Sequence, residues 1–383
     1  MSWSKEAAAI LLSALGSAVA TGFAGGGSIA IKSGFAIGPM RLLSPGFGYA
    51  VAYRTVKRGD IAHTTIGLFV YDNGRWRNVT PKRLNANADA IDDVAFVDRQ
   101  HAWVAAYNCA QAAVYLSRTR DGGRSWQSLG RPATHSCGGG PTFLSFIDAK
   151  RGWMEPVSPN GPGGELLRTG DGGRTWTRLA SDPGSPSLPC LAPIAFVSPA
   201  AGWMARCGPD VFASEDGGRH WRRVAIPIPY RPDARSYDVP RFVGRMGTVA
   251  VTLGRATSLA VAFAASDNAG QSWRLRSVRP IDRCPLRPNF SPWPAYWPAS
   301  VASPRVWWIV AGRRNPLVQV TSDAGRHWRT ARAHGLPSHC SVTKVSAADD
   351  RVAWVVARYR SRSETALFET RDAGRTWRRV IFK

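Results

Sequence analysis

The chain has 383 residues, 44% hydrophobic and 10% aromatic, which excludes a disordered polypeptide and allows one large repeat domain or two or three ordinary ones. Its formal charge of +24 points toward anionic partners such as nucleic acid, envelope polymers or acidic glycans. The charge is spread along the chain and not gathered in one tail, so it equally suits solubility and the protection of sheet edges.

In chain order, Lys5 is followed by an apolar run from Ala7 to about Ala20, and Ala18-Val19-Ala20 and Gly22-Phe23-Ala24 both look like cleavage sites. Residues 1–24 therefore read as a signal peptide, which predicts a secreted or periplasmic protein; the run is too short and too rich in small residues for a membrane span. Residues 25–38 are Gly-rich and read as a linker or closing strand, leaving 39–383 as a single domain.

From there one pattern returns. Asp72-Asn-Gly74-Arg-Trp76 is a shortened copy. Full copies follow as Thr119-Arg-Asp121-Gly-Gly123-Arg-Ser-Trp126, Thr169 to Trp176 around Asp171, and Ser214 to Trp221 around Asp216. Three more run from Ser266 to Trp273 around Asn268, from Thr321 to Trp328 around Asp323, and from Thr370 to Trp377 around Asp372. The acidic or amide positions lie 45 to 55 residues apart, a period typical of propeller blades. Before most copies stand an apolar strand, a polar turn and a strand opening on an aromatic, with Trp103, Trp153, Trp203 and Trp354 in equivalent places and Trp308 and Tyr49 alongside. A third strand precedes each turn and a fourth follows it. Four short strands repeated seven times predict an all-β, seven-bladed propeller of four-stranded antiparallel blades.

The repeat resembles the Asp-box, or BNR, motif Ser/Thr-x-Asp-x-Gly-x-x-Trp of sialidases, sortilin-type receptors and photosystem II assembly-factor-like propellers. The resemblance covers about residues 39–383 and implies fold far more than function.

The turn's chemistry reads as a fastener. Asp accepts backbone N–H groups, Gly supplies a left-handed or crowded position, and Trp anchors the next strand. Asn268 keeps the accepting oxygen without the charge, which suits a structural role better than a metal or catalytic one. Each turn has too few carboxylates for calcium, and no metal or cofactor is expected.

The third-to-fourth strand turns should share one face of the ring. The loops between second and third strands and between blades should share the other, and all six cysteines fall in or beside these. An even number of cysteines behind a signal-like segment favours disulfides; Cys109 with Cys137, Cys190 with Cys207 and Cys284 with Cys340 are the expected pairs. On that face "PIPYRPDARSYD" carries Tyr230, Arg231, Arg235 and Tyr237, and "RCPLRPNFSPWPAYWP" carries Phe290, Trp293, Tyr296 and Trp297. Such proline-stiffened aromatics beside arginines suit recognition of a polypeptide or glycan, or packing under a long loop. Glu155 and Glu165 flank another loop there.

The leading expectation is an extracytoplasmic, monomeric, non-catalytic scaffold binding a protein or glycan. One alternative is a sialidase-like glycoside hydrolase, which would need an arginine cluster, a Tyr nucleophile and an acidic partner. "MRLLSPGFGY" stands where the Arg-Ile-Pro signature of that class belongs. The other is a binder of anionic polymers through rim arginines such as Arg222, Arg223, Arg329, Arg378 and Arg379, whose distribution suits general attraction and not sequence-specific nucleic-acid reading. No P-loop, dinucleotide fingerprint or HExxH is present.

Overall fold

The computed structural model describes residues 34–382 except 59–60, 83, 85–87, 135–140, 157–164, 180–192, 206–210, 229–233, 255–258, 282–297, 313–315, 338–340 and 359–363. The described strands form seven antiparallel sheets, each following chain order. Blade 1 runs from Gly34 to Asn78, so part of the segment read as linker or closing strand, 34–38, is the start of its inner strand. The signal-like residues 1–24 lie outside the described residues.

The apolar stretches before each turn are continuous because the middle strands are buried on both faces. Ala102–Asn108, Gly152–Glu155, Gly202–Ala205 and Ala353–Arg358 are almost wholly buried. Fourth strands such as Gln127–Ser128 and Arg378–Arg379 are short and exposed. First strands of neighbouring blades touch at five junctions around the axis, among them that of blade 7 with blade 1. The core is correspondingly divided into seven apolar clusters, each shared by two adjacent blades.

Inner strands are also stitched together by polar side chains. Asp93 Oδ2 accepts the N–H of Leu144 at 2.9 Å, Ser145 Oγ that of Phe196 at 2.8 Å, Ser300 Oγ that of Ala347 at 3.0 Å, and Ser346 Oγ that of Leu42 at 2.9 Å. The last bond joins blade 7 to blade 1. The ring thus closes without strand exchange: each end blade owns its four strands, and the seam is packed. There Trp76 packs against Trp354 in a tilted pair at 4.9 Å, and Phe382 packs on Phe69 at 4.5 Å and on Trp76 at 5.0 Å.

Candidate functional site

The repeated turns close on themselves. In blade 3 the Asp171 carboxylate receives the Thr169 hydroxyl (2.8 Å), the Arg174 and Thr175 N–H groups (2.9 and 3.0 Å) and the Thr175 hydroxyl (2.7 Å). Asp121, Asp216, Asp323 and Asp372 make the same kinds of bond, with the imidazoles of His220 and His327 replacing the hydroxyl at Asp216 and Asp323. These histidines are 83% and 89% exposed. At Asn268, Oδ1 accepts the Ser266 hydroxyl (2.9 Å) and the Ser272 N–H (3.0 Å), while Nδ2 now donates to the Ser272 hydroxyl at 2.8 Å. The amide keeps the turn by reversing one bond.

These bonds set the acidity of the carboxyls. The Ser125 hydroxyl and N–H hold Asp121 down at about 2. Partial burial opposes the shift at Asp171 and Asp216, but the N–H groups of Thr175 and His220 and further side-chain bonds hold both near 2.

Two consecutive left-handed residues form the loop of each full copy, and the second is always glycine, as at Gly173 (φ 87°) and Gly374 (φ 83°). A Cβ on Gly374 would stand 2.5 Å from Val318 of the previous blade. The first is glycine in blades 2–4 and alanine in blades 5–7: Ala269, Ala324 and Ala373 have φ of 59–61°. Its N–H donates to a carbonyl in the first-to-second strand turn of the same blade, such as Gly172 to Lys150 at 2.7 Å and Ala373 to Arg351 at 3.0 Å. Both turns therefore share one face.

Blade 1 is built differently. Asn73 (φ 45°) and Gly74 (φ 92°) make a two-residue hairpin between Asp72 and Arg75, the Asn-Gly solution to strand reversal. Asp72 ion-pairs with Arg99 of blade 2, and within its own hairpin it accepts the side-chain amide of Asn73 at 3.2 Å.

The tryptophans of the repeat, Trp126, Trp176, Trp221, Trp273, Trp328 and Trp377, are buried or half-buried. The Trp126 indole donates to the Val79 carbonyl of blade 1 at 2.6 Å. Those of Trp176, Trp221 and Trp377 donate to the second glycine of their own loops at 2.9–3.1 Å. Among the described residues, no group of three or more His, Cys, Asp or Glu side chains is arranged to hold a metal.

Of the expected binding residues, Arg235 and Tyr237 lie on the inner strand of blade 5, opposite Leu253 and Val251. Tyr230, Arg231, Phe290, Trp293, Tyr296 and Trp297 lie outside the described residues, as do Cys137, Cys190, Cys207, Cys284 and Cys340. Cys109 is disulfide-bonded. Glu155 is buried in the second strand of blade 3, and Glu165 pairs with Arg178.

The axial channel carries a second set of charges that the repeat does not advertise. Arg41, Ala95, Ser145, Ala195, Arg241, Ser300 and Ser346 occupy one tier of the inner strands, each opposite Tyr49, Trp103, Trp153, Trp203, Thr248, Trp308 or Trp354. One step deeper stand Asp93 and Lys344, opposite Ala105 and Val356, and Asp238, whose N–H bonds the Ala250 carbonyl. These strands are bulged or broken where the charges sit, between Ile91 and Asp93, between Val342 and Lys344, and at Asp238–Pro240. Burial pushes Asp93 up to about 6, against the pull of two backbone N–H groups, Lys344 and Arg41. In sequence, the signal for this tier is a residue seven or eight places before each second-strand aromatic or its substitute, Thr248.

Comparison with known proteins matches this architecture. The family described as "Photosynthesis system II assembly factor YCF48" matches residues 71–223. A structure of YCF48 from Cyanidioschyzon merolae is 16% identical with a TM-score of 0.50, covering 76% of this chain and 84% of its own. A structure of YCF48 bound to a D1 peptide is 18% identical with a TM-score of 0.48, covering 76% and 81%. A prolyl endopeptidase is 12% identical with a TM-score of 0.55; it covers 98% of this chain but only 52% of its own. No curated protein matches the sequence. Solved structures at such identities speak for the fold alone; the sheet order and the turn geometry make the chain a seven-bladed β-propeller with BNR-type turns, about three blades of which match the family model.

Proposed function

We propose that this propeller is a non-catalytic scaffold that holds a polypeptide partner outside the cytoplasm. The observation that carries the reading is the match of residues 71–223, about three blades, to a family described as an assembly factor. The turn carboxylates support it: Asp121, Asp171, Asp216, Asp323 and Asp372 are each engaged within their own loop, so the most regular acidic groups of the chain are occupied in holding strands together. The signal-like N-terminus, the even number of cysteines and the disulfide at Cys109 favour the extracytoplasmic setting. The sequence segments 227–238 and 283–298, with Tyr230, Arg231, Phe290, Trp293, Tyr296 and Trp297 and with Arg235 and Tyr237 on the inner strand of blade 5, supply the aromatic and guanidinium groups that dominate polypeptide interfaces.

The test is capture of partners from envelope extracts by the full chain and by a W293A/W297A variant, with bound material identified by mass spectrometry. A discrete polypeptide retained by the parent and lost by the variant is the expected result. Retention only of glycan or anionic polymer by both proteins, released by salt, would overturn the reading. Release of a fluorogenic sialoside by the purified protein would replace it with the hydrolase.

A further inference from the structure

We propose that the axial channel is a binding site for a tetrahedral oxyanion of the phosphate class, gripped between Arg41 and Arg241. This rests on the geometry of the ring and not on the identity of any polypeptide partner. The tier that carries the two arginines is otherwise built of Ala95, Ser145, Ala195, Ser300 and Ser346. Five small side chains leave the middle of the channel to the two long ones. Blades 1 and 5 are separated by two blades one way and three the other, so the arginines stand on nearly opposite walls, yet Arg241 feels the charge of Arg41. Arg41 is exposed and Arg241 is part-exposed.

No carboxylate neutralises them at contact distance: among the described residues, neither arginine nor Lys344 has an ion pair within 4.0 Å. The two nearest acids are tied to the wall. Asp93 accepts the N–H groups of Val94 and Leu144 at 2.8 and 2.9 Å, and Asp238 that of Val239 at 2.8 Å. Among the described residues of these two tiers, Arg41, Arg241 and Lys344 stand against Asp93 and Asp238, while Asp92, next along the strand from Asp93, accepts the Thr142 N–H at 2.9 Å. The repulsion is felt within the set, since Arg241 is held down to about 9, first by the charge of Arg41 and then by burial. An anion between the guanidiniums would relieve it. A tetrahedral oxyanion presents separate oxygens to both walls, whereas a carboxylate offers one edge to one fork. The hydroxyls of Ser145, Ser300 and Ser346 already accept backbone N–H groups, and each retains a hydrogen to donate.

Titration calorimetry of the full chain with inorganic phosphate at fixed ionic strength tests this, with acetate and glycerol phosphate as further arms. One saturable phosphate site is expected, weakened at least tenfold by Arg41→Met or by Arg241→Met and unchanged in the outer-strand variant R378A/R379A. Because each arginine repels the other, Arg241→Met should melt no lower than the parent in phosphate-free buffer, which separates lost binding from lost folding. Where it does melt lower, Arg241→Lys keeps the charge without the fork and should still weaken binding severalfold. Binding of glycerol phosphate as well would show that the channel admits an esterified phosphoryl group; binding of phosphate alone would show a site for the free ion. Absence of saturable heat with phosphate, equal affinity for acetate, full affinity in Arg241→Lys, or equal loss in R378A/R379A would overturn the proposal.

Discussion

The junction between blades 3 and 4 and the junction between blades 7 and 1 do the same work with different parts. At the first, Trp153 stacks on Phe196 at 3.8 Å and 4°, and its indole N–H donates to the Gly217 carbonyl in the next blade's turn at 2.9 Å. At the second, Trp354 is equally buried, but blade 1 has a two-residue hairpin where the full turn belongs, and the Trp354 indole nitrogen has no hydrogen-bond partner. The Trp203 indole is likewise without one. The seam substitutes aromatic surface for the missing bond: Tyr71, Trp76 and Phe382 gather around Trp354, and Gly48 leaves room for its ring, which would stand 2.7 Å from a Cβ there. The lesson is that the Asp-box turn fastens its own blade and also serves as a docking point for its neighbour.

Replacing either tryptophan by alanine is the strongest way to probe that difference. Trp153→Ala and Trp354→Ala should each cost about 3–5 kcal/mol in urea unfolding. Trp153→Ala should be the worse by about 1 kcal/mol because it also forfeits a hydrogen bond. Equal losses would show that the indole bond adds nothing to the stack. Hydrogen exchange should separate the two sites: the Leu42 and Ile37 amides, which bond Ser346 and Thr365 across the seam, speed up in Trp354→Ala, and the Phe196 amide in Trp153→Ala.

The next effect belongs to the seam alone. Phe382→Ala removes a half-buried ring that follows the last strand of blade 7 and packs on Phe69 and Trp76 of blade 1, and about 2 kcal/mol should be lost, less than for a fully buried phenylalanine. An unchanged urea midpoint would mean that the C-terminal residues do not hold the ring shut.

What the sequence made legible follows from the same contrast. The Asp-box is satisfied within four residues, Thr169 to Gly173 and Asp171 to Thr175, so its chemistry is written in one short stretch and the blade count can be read from it. Ring closure depends on Leu42 with Ser346, 304 residues apart, and no local pattern announces that pairing. Blade 1 was harder to place because Asn-Gly does by backbone conformation what the other blades do with a carboxylate. The axial arginines were hard to single out for another reason. The spacing to Tyr49 and Thr248 marks their tier, but Arg41 and Arg241 are brought to one ring only by seven separate strand registers, and in a chain of +24 two more arginines do not stand out.

Within an ordinary blade, the acidic residue can be set against its own natural substitute. Asp171→Ala should cost about 1–3 kcal/mol, since it strands two backbone N–H groups and two hydroxyls. Asp171→Asn should cost a fraction of that, because Thr175 can accept from the new amide as Ser272 does from Asn268. Comparable losses in the two would show that charge, and not the accepting oxygen, closes the turn. The pH dependence should follow. Asp121, Asp171 and Asp216 are depressed to about 2 in the folded chain, against about 3.9 unfolded. Their contribution is therefore complete above pH 4 and disappears as the pH falls toward 2. Asp93, raised to about 6, has the opposite sign: it favours the folded state below pH 4, and that contribution is lost as the pH rises through 6. Asp171→Asn should flatten the acid limb of the stability curve and leave the pH 4–6 region unchanged; an unaltered acid limb would remove the turn carboxylates from the account.

The smallest effect distinguishes the two halves of the ring. Blades 2–4 place glycine at the first left-handed position, whereas blades 5–7 hold Ala269, Ala324 and Ala373 there at φ near 60°. A left-handed alanine costs roughly 1–2 kcal/mol in the folded chain, and a glycine at the same place gives back part of that gain as extra freedom in the unfolded chain, about 0.4–1 kcal/mol. The balance predicts that Ala373→Gly stabilises by a few tenths of a kcal/mol up to about 1 kcal/mol, and that Gly172→Ala destabilises. The reverse change should be the larger, because a Cβ on Gly172 would stand 2.7 Å from the Ala149 carbonyl oxygen and 2.4 Å from the Arg118 guanidinium. Arg118 is itself buried, and it donates to the Asp171 and Gly172 carbonyls across the blade 2–3 junction. Thermal melts of the two variants side by side decide the matter. If Gly172→Ala were as mild as Ala373→Gly, the glycine pairs of blades 2–4 would reflect backbone preference only, and the packing of each turn on its neighbour's arginine would have to be given up as the reason for them.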